Sequence, residues 1–235
     1  MSVAEHLGIE TTEYDQQILA FIPFYEEILD QAAAALDTLE RPARVLVDLG
    51  TGSGALAARC AARLKAAAVV GIDRDPQMLV LAAERLGRRL RPVVANFETA
   101  PIPACDVVTA SFSLHHVAAP AAKRKVFAKV FHALRPGGVF VIADCATASS
   151  PRLQARDVAN WRDHLAARHG RGRASRFLKA WAEEDTYFTL NQEMAWLRAV
   201  GFCVDLPWRK SAFAVIAASK PRAGSRRRTV SVPCF

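Results

Sequence analysis

The segment Arg44-Val-Leu-Val-Asp-Leu-Gly-Thr-Gly-Ser-Gly-Ala-Leu constrains the fold more than any other part of the chain. Its apolar, mostly branched residues read as a buried strand, which runs straight through three glycines into a helix-forming stretch. Gly50, Gly52 and Gly54 let the backbone turn sharply and keep side chains away from a ligand laid across the turn. Such a turn lies at the C-terminal edge of a parallel sheet, where nucleotide-like cofactors bind. Spacing alone does not identify the cofactor, because Gly50-x-Gly52-x-x-Ala55 also satisfies a dinucleotide fingerprint. Asp48 separates the two cases. Its carboxylate would repel a pyrophosphate, but it accepts hydrogen bonds from a cationic ammonium group. S-adenosylmethionine carries that ammonium and no phosphate, so Asp48, Gly50, Thr51, Gly52 and Gly54 are predicted to hold it.

The following signals fall where such a cofactor needs them. Val69-Val-Gly-Ile-Asp reads as a second strand ending at Asp73, about 20 residues after the glycines, where a carboxylate holds ribose hydroxyls. Arg74 and Met78 follow it, placed to pack on an adenine. A third strand, Arg91-Pro-Val-Val-Ala, ends at Asn96-Phe97, an amide and a ring suited to the edge and face of that base. A fourth, Cys105 to Ser111, brings Ser111 to the same edge and runs into Phe112-Ser-Leu-His-His-Val. His116 and His115 are the candidate general bases, since neutral imidazole accepts a proton near pH 7. Leu134-Arg-Pro-Gly-Gly closes a helix and opens a fifth strand that ends at Asp144.

With D-L-G-T-G-S-G, G-I-D, S-L-H-H and L-R-P-G-G in this order, the chain between Arg41 and Pro221 resembles the class I S-adenosylmethionine-dependent methyltransferases, within them the small-molecule and ubiquinone-biosynthesis type. The stretch from Glu13 to Glu27 is also similar to the cap of relatives of carboxy-S-adenosylmethionine synthase, which acts in tRNA wobble-uridine modification. The resemblance implies methyl transfer to a small-molecule acceptor, with RNA modification as the alternative. The predicted fold is α/β: a doubly wound, mostly parallel seven-stranded sheet in one domain, 1–221. A helical cap, 1–40, precedes it, and a helical insertion, 149–185, lies before the last two strands, Phe202 to Trp208 and Phe213 to Ser219. Pro23 breaks the cap into two short helices. Trp161, Leu165, Phe177, Leu178 and Trp181 form the apolar stripe of the insertion. Residues 222–235 read as a basic, mobile tail.

At 235 residues and 51% hydrophobic content the chain buries one full core and is too short for two ordinary domains. No apolar run reaches the roughly 20 residues that cross a membrane, and the start lacks a secretory signal, so a cytoplasmic monomer or homodimer without a membrane partner is expected. Five scattered cysteines without a C-x-x-C pair support neither a disulfide frame nor a zinc site, and no metal is expected. Cys60, Cys105, Cys145 and Cys203 read as small buried hydrophobes. The net charge of +8 concentrates in the insertion, at Arg152, Arg156, Arg162, Arg168, Arg171, Arg173, Arg176 and Lys179. These predict an anionic small acceptor. A nucleic acid is disfavoured, because no stacking aromatics interleave with the arginines. Tyr14, Tyr25 and Tyr187 are candidate cap or acceptor-pocket residues.

Overall fold

The computed structural model describes residues 13–65 and 67–222. The start of the chain, Cys234 and Arg226, Arg227 and Arg228 of the tail lie outside the described residues. Apolar runs become parallel strands wherever they are flanked by helices: β1 Val45–Leu49, β2 Ala68–Asp73, β3 Leu90–Val94, β4 Cys105–Ser111 and β5 Leu134–Cys145. The hairpin of β6 Cys203–Lys210 and β7 Phe213–Ser219 completes seven strands in the order β3-β2-β1-β4-β5-β7-β6, with β7 antiparallel to both neighbours. Prolines sit where a missing N–H is tolerated, Pro92 on edge strand β3 and Pro207 at the register shift of edge strand β6. Both faces of the sheet are buried. In β5 the alternation is explicit: Val139, Val141 and Ala143 join the core on the cap side, while Phe140 and Ile142 join the core on the other.

Eight helices are described. α1 Tyr14–Phe21 and α2 Tyr25–Ala34 meet at Pro23-Phe24, where Phe24 takes a left-handed φ of 63°, so the cap bends where the sequence predicted. α3 Ala55–Arg63 and α4 Pro76–Leu86 flank β2, and Pro76 follows the N-cap Asp75 of α4. α5 Pro120–Ala133 leads into β5. The insertion forms α6 Pro151–His169 and α7 Arg171–Glu184, separated at Gly170, with Trp161, Leu165 and Trp181 buried. α8 Leu190–Val200 was not anticipated, although its capping box of Thr189 with Gln192 and its left-handed Gly201 are a start and a stop signal.

Two other expectations are corrected. Cys203 is exposed, because it opens the edge strand β6 on its uncovered side, whereas Cys60, Cys105 and Cys145 are buried. Arg222, read as the first residue of the tail, is held by an ion pair with Glu40 at 2.5 Å. No described helix is long and apolar enough to cross a membrane.

Candidate functional site

The sheet order reverses between β1 and β4, so the connections leave in opposite directions there and open a crevice beyond the strand ends. A cavity of about 400 Å³ occupies it, roofed by α1, α2 and the insertion. Gly50, Thr51, Gly52 and Asp73 line one end together with Arg74, Asn96, Phe97 and Ser111. Most of the residues that the sequence predicts as cofactor contacts therefore line a single cavity.

The glycine turn is held from below. Gly50 and Thr51 donate their N–H groups to the Ile72 carbonyl at 2.8 and 3.2 Å, and Gly52 donates to Asp73 Oδ2 at 2.8 Å. Three consecutive amides are thus already satisfied, which removes the donors a pyrophosphate would use. Gly50 has a positive φ of 68°, and a Cβ there would come within 2.4 Å of Ser113 Cβ, so only glycine fits. Asp73 also accepts from the Asp75 N–H at 2.9 Å. Its carboxylate ties the loop to β2 and still borders the cavity. Burial pushes its pKa up, and the two backbone hydrogen bonds pull it back only in part.

Three predicted contacts lie elsewhere. Met78 is fully buried behind Gly52, 3.6 Å from where a Cβ of that glycine would stand, and belongs to the core. Gly54 starts α3 and gives α4 room to approach, since its Cβ would meet Ala82 at 3.1 Å. Asp48 lies beneath the turn and does not line the cavity. Thr109 donates a 2.6 Å hydrogen bond to its Oδ1, while Oδ2 is buried without a partner. Burial lifts the Asp48 pKa to about 7, with the Asp73 charge adding to the rise and the Thr109 bond opposing it. A buried, half-paired carboxylate under a glycine turn fits a ligand that brings positive charge.

At the other end, β4 passes into a 3₁₀ turn, Leu114–His116, that presents both histidines. Phe112 adopts a left-handed φ of 48°, a strained conformation for a bulky residue, and this turns the chain into the cavity. His115 Nδ1 lies 2.6 Å from Asp144 Oδ1, and Asp144 is fixed further by the N–H groups of Leu114 and Cys145. Burial disfavours protonation of His115, but the Asp144 carboxylate outweighs it and raises the pKa. The Asp144 carboxylate thus favours the protonated form of His115, which suits the role of base less than His116 does. His116 Nδ1 lies 2.9 Å from Asp185 Oδ1, and Tyr187 donates to Asp185 Oδ2 at 2.8 Å. Burial lowers the His116 pKa, leaving a neutral ring. Burial alone would raise Asp185, but its bonds from His116 and Tyr187 and the His115 charge hold it at about 2. Asp144 and Asp185 were not singled out from the sequence. Asp185 stands 69 residues from His116, and only the fold brings them together.

The eight basic side chains of the insertion are all exposed, and none lines the cavity. Among the described lining residues Arg74 is the single lysine or arginine, and it lies beside Asp73 at the cofactor end. The charge expected to meet an anionic acceptor therefore faces outward. Tyr14, Tyr25 and Tyr187 do line the cavity.

Residues 46–138 match the family described as a methyltransferase domain. Over that stretch the chain is similar to methyltransferase domains. An uncharacterized methyltransferase from Geobacillus thermodenitrificans is 30% identical over 61% of this chain and 63% of the relative. A malonyl-[acyl-carrier protein] O-methyltransferase from Marinomonas is 27% identical over 65% of this chain and 56% of its own length. The chain thus spans less than two thirds of these relatives. An O-methyltransferase family protein from Burkholderia thailandensis shares the fold, with a TM-score of 0.64 at 17% identity over 85% of this chain and 57% of that one. The methyltransferase domain covers β1 to the start of β5 and so includes the glycine turn, Asp73, Asn96 and both histidines. The cap and the insertion lie outside the matched stretch.

Proposed function

We propose that the protein is an S-adenosylmethionine-dependent methyltransferase acting on a small-molecule acceptor. The observation that carries this reading is the glycine turn: its amides are taken up by the protein itself, and the buried Asp48 below it carries an unpaired oxygen. A phosphate loses these three donors, whereas a cationic amino acid moiety would be attracted by the carboxylate beneath the turn. Asp73, Asn96 and Phe97 would hold the ribose and adenine, and Asp48 would draw the ammonium toward the turn. When bound, S-adenosylmethionine supplies an activated methyl group on a sulfonium. The protein's task is then to align a nucleophile and exclude water. His116, oriented by Asp185 through Nδ1, would be the group that takes the acceptor's proton. Cap, sheet and insertion up to Pro221 work as one unit.

The test is a calorimetric titration with S-adenosylhomocysteine and with a nicotinamide dinucleotide. Only the former should bind, and Asp73→Ala should weaken it about tenfold or more through loss of charge-assisted bonds. Dinucleotide binding, or an affinity unchanged in folded Asp73→Ala, would reject the assignment. The outward-facing arginines are the one observation that favours a polyanion, namely RNA. Binding to total tRNA that falls by orders of magnitude between roughly 50 and 200 mM salt would establish that second reading.

A further inference from the structure

The loop 95–104 between β3 and β4 carries Asn96 and Phe97 to the cavity, yet within 96–100 only Ala100 is buried. The loop winds on itself. Asn96 Oδ1 accepts the Glu98 N–H at 2.8 Å, and the Asn96 carbonyl accepts the N–H groups of Thr99 at 3.1 Å and Ala100 at 2.9 Å. A single turn of this kind is marginal by itself, because nucleating it fixes several residues for few hydrogen bonds. Lys129 of α5 supplies the missing hold. Its Nζ donates to the carbonyls of Phe97, Glu98 and Ala100 at 2.5, 3.0 and 2.8 Å. All three donors of the ammonium are thereby used, and three carbonyls whose partial negative charges would repel one another converge on one cation. α5 is itself anchored, since Val126, Phe127 and Val130 are buried in the same core on which Phe97 packs. Lys129 is thus a strut from a fixed helix to an exposed loop.

The strut ends at the cavity. Phe97 Cε1 stands 3.7 Å from where a Cβ of Gly50 would lie, so the ring closes on the glycine turn. Asn96 lines the cavity too, and because its Oδ1 is taken by Glu98, its amide offers a ligand the Nδ2 donors. A donor suits the bare N1 of adenine and opposes hypoxanthine, whose N1 carries a proton. Two other cations gather carbonyls in the same manner: Arg89 holds those of Ala61, Leu64 and Ala67, and Lys220 those of Phe131 and Leu134. None of these carbonyls belongs to a residue of the cavity wall. Lys129 alone of the three ends its clamp on residues that face the ligand.

We infer that Lys129 is a positioning residue for the cofactor: it fixes the loop so that Asn96 meets the adenine edge, and so makes the site select adenine over hypoxanthine. This rests on the S-adenosylmethionine reading above and adds to it the residue that sets base selectivity. Lys129 does not line the cavity and acts only through Asn96 and Phe97. Without its ammonium the turn loosens and the Asn96 donors leave the base. Asp73 and the glycine turn stay in place, because they are tied to β2 by hydrogen bonds of their own. The loss therefore falls on base selectivity and spares the rest of the binding.

The experiment is a calorimetric titration of the full-length protein and its variants with S-adenosylhomocysteine and S-inosylhomocysteine. The parent should prefer the adenosyl compound about tenfold or more. Lys129→Met should bring the adenosyl affinity down to that of the inosyl compound, whose own affinity stays within about twofold of the parent value and so shows that the variant folds. Lys220→Met, which cuts a comparable clamp away from the cavity, should keep the preference. If Lys129→Met does not fold, Lys129→Gln gives the same reading. Equal weakening of both compounds would make Lys129 a purely structural residue and overturn the inference. An unchanged preference in the variant, or a parent without one, would overturn it as well, and each of these results leaves the methyl-transfer reading standing. Failure of S-adenosylhomocysteine to bind the parent would instead defeat both.

Discussion

Asp48 is the residue whose chemistry is least comfortable in the free protein. Its folded pKa of about 7 lies above the ordinary carboxylate value, so between about pH 4 and 7 the folded state holds a proton that the unfolded state has released. Stability from this group therefore falls as pH rises through that window. Asp48→Asn should remove the fall, raise the melting temperature at pH 8 by several degrees, and weaken S-adenosylhomocysteine binding about tenfold. A variant that melts lower and binds as before would make Asp48 a purely structural residue. His116 carries the complementary prediction. Its pKa lies below 6.5, so the ring is neutral at physiological pH, and kcat/KM should be level above that value and drop on acidification below it. His116→Gln should abolish this limb while leaving cofactor affinity intact. A limb that survives in His116→Gln would assign the proton acceptor to another group. The glycines, Asp73 and His116 were legible because each announces itself within a short local pattern. Asp185 was not, since its significance lies in a contact across 69 residues of chain that no local pattern encodes. The eight arginines and lysines of the insertion misled for a related reason: composition shows that a segment is basic, but only helix orientation shows which way its charges point.

At the scale of elements, the cap is held over the cofactor end by a small polar latch. Ser53 in the glycine turn donates to Asp15 of α1 at 2.6 Å, and Arg85 of α4 pairs with Asp15 and donates to the Ser53 carbonyl at 2.8 Å. Arg59 of α3 adds contacts to Glu26 and Asp30 of α2. These contacts tie α1 and α2 to the glycine turn and to the helices beside it. Both partners of the Arg85–Asp15 pair are partly exposed, at 31% and 41%, so screening limits it to roughly 1 kcal/mol or less. Asp15→Ala should then speed S-adenosylhomocysteine dissociation by about fivefold, and added salt should speed it in the parent but much less in the variant. Equal rates in stopped-flow experiments would show that α1 is fixed by its apolar contacts alone. The bend of this cap was readable from Pro23, and the strands from runs of branched apolar residues. α8 was overlooked although Leu190, Met194 and Leu197 recur at helical spacing and the Thr189 capping box marks its start.

The whole molecule places a matched domain, residues 46–138, beneath a roof made of less familiar segments. The domain supplies the glycine turn and the histidine turn, and the cap and insertion supply the remaining walls of the cavity. That division explains why the sheet and the glycine turn were legible in sequence motifs, whereas Tyr25, Trp161, Trp181 and Tyr187 meet around one cavity only in the fold. The central claim is that the crevice between β1 and β4 holds S-adenosylmethionine. Native mass spectrometry of the purified full-length protein tests it most directly, with S-adenosylmethionine added at a modest excess over a nicotinamide dinucleotide. The expected spectrum shows one S-adenosylmethionine or S-adenosylhomocysteine per chain in the parent and loss of that species in Gly50→Ala, whose Cβ would strike Ser113. A dinucleotide adduct, or no adenosyl compound retained by the parent, would contradict it.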